Sequence, residues 1–300
     1  ENVDGGEVLG NRLYRYEFDN GKLTTPKLLL DLPTMPGPSH NGGVLKIGPD
    51  KKSVYLVIGN MNYVQNLTFI TKAQNNKNGP PPDGRGGVLR ITFDGGVVDG
   101  KGLLGDEDPL NRYYAYGIRN SFGIGFDALT GNLWETENGR STDDEINLVL
   151  PGFNSGWREV IGFSNMTSEF NEENLEDFGG KGTYRDPEFI WRDTIAPTSV
   201  LFVHTDKLGS KYKDNLFVGS VKNGTVFNFP LDDTRTHLVL TGPLSDKKAD
   251  TNYETGDVIF GRNFGVITDL QIGPDGNLYI LSNYKHDGTI FNITAKNNTN

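Results

Sequence analysis

Apolar residues along this chain come in short runs of four to eight, rich in β-branched and aromatic types and closed by Gly, Asn or Asp. Such runs read as strands. They fall at 11–18, 27–32, 42–48, 53–59, 86–93, 132–138, 145–150, 199–204, 215–221, 225–231, 237–242, 267–273, 277–283 and 289–294. No stretch repeats its apolar positions with the 3.6-residue period of an amphipathic helix. Many short strands with regular turns predict an all-β sandwich, barrel or propeller.

One plan recurs. LKIGPDKKSVYLVIGN (45–60), IGFDALTGNLWETENG (124–139) and LQIGPDGNLYILSN (270–283) each hold an apolar strand, a Pro-Asp, Asp-Gly or Thr-Gly turn, and a second strand ending in Gly or Asn. A weaker copy spans 201–224, and residues 150–198 are expected to hold a further blade. Hairpins repeated at this spacing predict a β-propeller, taken as a single domain over 1–300. Two segments break the plan: the proline-rich 73–87 and the acidic, irregular 163–189.

Composition narrows the function. The net charge is −10, which argues against nucleic acid as a partner, because phosphate contacts need a basic face. Mean hydropathy is −0.48, and no apolar run has the length of a membrane span. The chain has no cysteine, so thiolate metal sites, disulfides and cysteine nucleophiles are excluded. Asn-X-Thr sequons stand at Asn66, Asn165, Asn223, Asn292 and Asn297; they predict a secreted, glycosylated protein at the cell surface or beyond. The three tryptophans, Trp134, Trp157 and Trp191, are expected to pack, and Asp143, Asp144 and Glu145 to cap and pin their loop.

An ordered string carries the chemistry. SHNGG (39–43) comes first, then YGIRNSFGIGFDALTGNLWETENGRSTDDEINLVLPGFNSGWREV (116–160), then APTSVLFVHTDKLGSKYKDNLFVGSVKNG (196–224) and ITDLQIGPDGNLYILSN (267–283). In this order the chain resembles the soluble pyrroloquinoline-quinone (PQQ) dependent glucose and aldose sugar dehydrogenases, which are six-bladed β-propellers. The resemblance implies an extracellular PQQ- and Ca2+-dependent dehydrogenase taking a small sugar and an electron acceptor. It places His40 as the general base and Arg119 at the reacting quinone carbonyl, with Asn60, Asn120 and Lys222 around the cofactor. Gly139 and Arg140 fall where backbone carbonyls hold calcium. The residue types suit hydride removal from an alcohol. Histidine accepts a proton near neutral pH, and a fixed arginine and a hard cation stabilise charge arriving on oxygen.

The chain departs from the family at three places. Asn60 stands where the family supports its histidine with aspartate. Val266 and Thr268 stand where it has two cofactor-binding arginines, each worth ~1.5–3 kcal/mol to a carboxylate. The family also has a segment ahead of NRLYRYEF, so the first blade is expected to be incomplete in this chain, with a further segment or a second copy completing it. The alternative reading is a cofactor-free propeller of the same family, acting as a binding or structural module in a cell-surface assembly.

Overall fold

A computed structural model of the chain describes residues 10–34, 40–61 and 70–295. Among these the regular elements are strands and short 3-10 turns, with no α-helix. The chain packs as two compact units, Glu1–Ser121 with Leu150–Arg185, and Phe122–Val149 with Asp186–Asn300.

The first unit is built on an antiparallel meander of β3 (Leu45–Ile47), β4 (Ser53–Ile58), β5 (Gly87–Thr92) and β6 (Tyr113–Tyr116). Leu45 faces Leu56, Val54 faces Ile91, and Leu89 faces Tyr113. β4 and β5 are buried along nearly their whole length, as inner strands covered on both faces must be. A two-stranded ribbon, β1 (Gly10–Asp19) with β2 (Lys22–Pro33), sends Leu30 and Leu32 into the core formed by Leu56, Ile58, Leu89 and Ile91. Its far end is exposed, with Phe18 76% accessible.

The second unit holds three sheets. β7 (Ser121–Phe126), β8 (Leu133–Glu137) and β9 (Asp144–Val149) form one. β13 (Pro197–Phe202), β14 (Leu216–Ser220) and β15 (Val226–Phe229) form the next, edged by β17 (Ile259–Gly261). β18 (Val266–Ile272), β19 (Leu278–Tyr284) and β20 (Asp287–Ile293) form the last. Aromatic packing dominates the first core: Trp191 lies 5.3 Å from Phe227 and 5.8 Å from Phe229, and Phe189 lies 4.9 Å from Trp191. In the last sheet burial alternates, and Val266, Leu281 and Ile290 stay exposed.

The all-β, propeller-type organisation expected from the repeats stands, and the recurring hairpins at 45–60, 201–224 and 270–283 are antiparallel pairs. The expected blade at 150–198 does not form. β10 (Phe153–Asn154) and β11 (Thr183–Tyr184) add in parallel to β6. β12 (Phe189–Trp191) instead pairs with β9, and β16 (Lys248–Ala249) adds in parallel to its other edge. The acidic 163–189 stretch lacks the alternation that a strand needs to bury one face. The run 237–242 is likewise no strand; only a single bridge joins Leu238 to Leu231. Asn165 and Asn292 are exposed; Asn66 and Asn297 lie outside the described residues, as does the side chain of Asn223.

Candidate functional site

In the first unit the site is assembled around Gly59. A Cβ there would lie 2.7 Å from the His40 carbonyl oxygen and 2.9 Å from that of Arg119, so only glycine lets the three backbones cross. The Asn60 N–H donates to the Arg119 carbonyl at 2.8 Å. Gly117, at φ +70°, makes a second crossing, where a Cβ would sit 2.1 Å from Asn154 Oδ1. Asn154 and Asn75 exchange side-chain amide bonds of 2.9 and 2.7 Å in the interior. Trp157 N–H donates to the Gly117 carbonyl at 2.9 Å. The Gly-x-Asn-x-Gly-Trp string thus anchors the loop that carries Arg119.

His40 Nδ1 lies 2.6 Å from Asn60 Oδ1. An amide oxygen accepts, so Nδ1 carries the proton and Nε2 keeps its lone pair. Burial pulls the His40 pKa below its ordinary value; the Asn60 hydrogen bond opposes this, and the Arg119 charge adds to it. His40 is therefore a neutral imidazole at pH 7, in the tautomer a base requires. The Arg119 guanidinium lies 5.4 Å from the centre of the Trp157 ring, which fixes a cation over an aromatic face. Trp134 and Trp191 are core residues as expected; Trp157 is the platform for Arg119. Asn120 is buried beside it in sequence.

In the second unit Asp144 organises the loops. It is 1% exposed. Its Oδ1 accepts from Gly139 N–H at 2.8 Å, and its Oδ2 from Ile195 and Ala196 N–H at 2.6 and 2.8 Å. Burial pushes the Asp144 pKa up, against the pull of these three N–H groups and of the Lys222 charge. Lys222 N–H donates to the Ile195 carbonyl at 3.0 Å, and its ammonium donates to Thr194 Oγ1. Asp143 pairs with Arg192 at 2.8 Å. The acids of 143–144 pin the loop, as their sequence position suggested.

Gly139 is held by close carbonyls: a Cβ would lie 1.9 Å from Thr142 O and 2.6 Å from Asp143 O. Among the described residues no group of three or more His, Asp or Glu side chains gathers as a metal site. Both Asp144 oxygens accept from backbone N–H groups.

A cavity of about 440 Å³ opens beside Lys222, lined also by Asp193, Phe227, Tyr253 and Arg262. The turn bearing Lys222 is fixed by Gly224, at φ +50°, where a Cβ would lie 2.4 Å from the Gly265 backbone. Gly224→Ala therefore forces this turn off Gly265 and costs about 1–3 kcal/mol. Urea unfolding checks it, the expected result being a lower midpoint at unchanged slope.

Sequence reasoning passed over Gly59, Asn75 and Gly117. The signal was there for the glycines, which interrupt apolar runs where the chain must cross itself. It was absent for Asn75, whose partner is 79 residues away.

The sequence profile of the Glucose / Sorbosone dehydrogenase family matches residues 2–292. Quinoprotein glucose dehydrogenase B of Acinetobacter calcoaceticus is 27% identical over 94% of this chain and 67% of its own length. An uncharacterized protein of Synechocystis is 26% identical over 95% of this chain and 63% of its own length. The chain thus spans about two thirds of the length of these curated relatives. Among solved structures, a glucose dehydrogenase superposes with TM-score 0.70 at 22% identity, covering 99% of this chain and 77% of that one. The PQQ-bound aldose sugar dehydrogenase of Streptomyces coelicolor superposes with TM-score 0.62 at 21% identity, covering 94% and 71%. With a profile match over nearly its whole length, this chain belongs to the glucose/sorbosone dehydrogenase family.

Proposed function

We infer that the chain acts as a single propeller domain that oxidises the C1 hydroxyl of an aldose with PQQ as hydride acceptor and calcium beside it. The observation that supports this most is His40, neutral, with Nδ1 held by Asn60 and Nε2 free to accept a proton. Bound PQQ supplies the two-electron acceptor. With that acceptor bound, His40 Nε2 would take the proton of the sugar hydroxyl. Arg119, held over Trp157, offers a fixed cation to oxygen that gains negative charge. Asn120 and Asn60 are assigned to the cofactor's surroundings, and Lys222 to its edge. The donor set fits an anionic planar group, since the cavity beside Lys222 has two cations and two aromatic walls. The Gly139 and Arg140 carbonyls are assigned to calcium.

Asn60 cannot neutralise an imidazolium as a carboxylate does. Asn60→Asp, nearly isosteric, is expected to raise the His40 pKa by about 1–3 units. The acid limb of kcat/KM, which reports the free base, then moves up by the same amount. An unmoved limb removes His40 from the role of base.

Exposed sequons at Asn165 and Asn292 support an extracellular, glycosylated protein. Exposed apolar side chains on β18–β20 and on β3 support further β-structure, from another segment or a second copy, against those faces.

The competing reading, a cofactor-free binding module, has its own observation. Val266 carries no charge, and Thr268 spends its hydroxyl on the Leu281 carbonyl at 3.2 Å. Incubation with PQQ and Ca2+, followed by glucose and an artificial electron acceptor, separates the two. Dye reduction that needs all three additions supports the dehydrogenase, and no cofactor absorbance with no dye reduction leaves the binding module.

A further inference from the structure

The cavity beside Lys222 is cationic, and Val266 does not line it but lines a neighbouring cavity with Lys285 and His286. The lining of the first carries two cations, Lys222 and Arg262, against one acid, Asp193, in a chain of net charge −10. Arg262 is exposed, and among the described residues no carboxylate pairs with it. Buried Phe227 and Tyr253, 95% exposed, supply aromatic surface on the same lining.

Backbone, rather than a free loop, sets the spacing of the two cations. The Gly224 carbonyl accepts from Phe264 N–H at 3.0 Å. The contact is close enough that a Cβ on Gly224 would lie 2.4 Å from both Gly265 N and O. Gly261 pairs with Val226 at the edge of the sheet. Residues 261–265 are thus tied at both ends to the strand and turn that follow Lys222. The tether fixes the backbone from which Arg262 extends, and its planar donor fork has the geometry that suits a carboxylate.

We propose that Arg262 is the second arm of an anion clamp with Lys222, and that it grips a carboxylate of a planar aromatic polycarboxylate lying against Phe227 and Tyr253. The clamp rests on the quinone-binding reading only for the identity of its natural ligand, PQQ being such a polycarboxylate.

The test is calorimetric titration of the full chain with two probes, PQQ and benzene-1,3,5-tricarboxylate, the second a planar aromatic tricarboxylate with no quinone. Arg262→Gln is expected to weaken binding about 10- to 100-fold, the worth of one charge-assisted contact. Arg262→Lys, which keeps charge without the fork, should fall between. Asp193→Asn should tighten binding a few-fold by removing the opposing charge, and Lys213→Ala, outside the cavity, should change nothing. Thermal melts confirm that each variant is folded; should Arg262→Gln not fold, Arg262→Lys and Asp193→Asn decide in its place. If the native chain binds PQQ and the Arg262 variants bind it equally well, the clamp is overturned and the dehydrogenase reading stands. If it binds the tricarboxylate through Arg262 but not PQQ, the clamp stands and the dehydrogenase reading falls. Binding of neither probe overturns both.

Discussion

His40→Gln is expected to lower kcat for aldose oxidation by about 10²–10⁴-fold, the usual worth of a positioned general base, with little change in KM. Glutamine keeps a polar group near Asn60 but has no lone pair of useful basicity. The pH profile makes the result specific. In the native chain, burial and the neighbouring Arg119 hold His40 below its ordinary pKa, so the acid limb of kcat/KM lies below about pH 6.5. In His40→Gln that limb disappears. Stability follows with a defined sign. The native fold disfavours protonated His40, so unfolded chains bind its proton first as pH drops. The His40 contribution therefore lowers native stability between about pH 6.5 and the lower folded value, and this contribution is level beyond each end of that window. His40→Gln removes this dependence. Equal pH dependence of unfolding in the two proteins contradicts the placement of His40 in its site.

Asp144→Ala is expected to destabilise the protein by about 3–5 kcal/mol, the cost of breaking a buried charged network. Asp144 satisfies three backbone N–H groups from two loops, and all three lose their acceptor together. Lys222 also loses a negative charge that its ammonium interacts with. Asp144→Asn keeps one accepting oxygen and turns an NH2 toward donors, so it should cost nearly as much. Urea unfolding measures both, and ligand titration at low temperature shows whether the Lys222 cavity survives. A loss below about 1 kcal/mol, the range of an exposed pair, contradicts the role assigned to Asp144.

The strands were legible because the chain punctuates itself. KLLLDL, SVYLVI and NLYILSN are apolar runs bounded by turn residues, and each is a strand. Boundaries moved by one to several residues, as hydrogen-bond pairing rather than composition ends a strand. What composition could not show were the short strands whose partners are remote. β10, β11 and β12 have two or three residues each and depend on β6 and β9 for their existence. The stretch 150–198 therefore looked like a blade and became short strands added to two sheets.

At the site, residue types were legible and couplings were not. His40, Arg119 and Lys222 stood out as charged or titratable residues beside turns, and the family resemblance gave them roles. The sequence could not show that the Asn60 oxygen faces His40 Nδ1, which gives a neutral base even without a carboxylate. Nor could it show that Gly224 docks on Gly265, or that Arg262 and Lys222 line one cavity. Both follow from contacts between segments far apart in the chain.

Single-turnover reduction reads the proton acceptor and the quinone in one trace. The chain is loaded anaerobically with PQQ and Ca2+, mixed rapidly with glucose, and followed by the cofactor's absorbance from pH 5 to 8. Bound PQQ is expected to be reduced by the sugar at a rate that is level above about pH 6.5 and falls on the acid side as His40 takes a proton. A loaded cofactor that glucose leaves oxidised, or a reduction rate blind to pH and to His40→Gln, contradicts a quinone-linked dehydrogenase with His40 as its base.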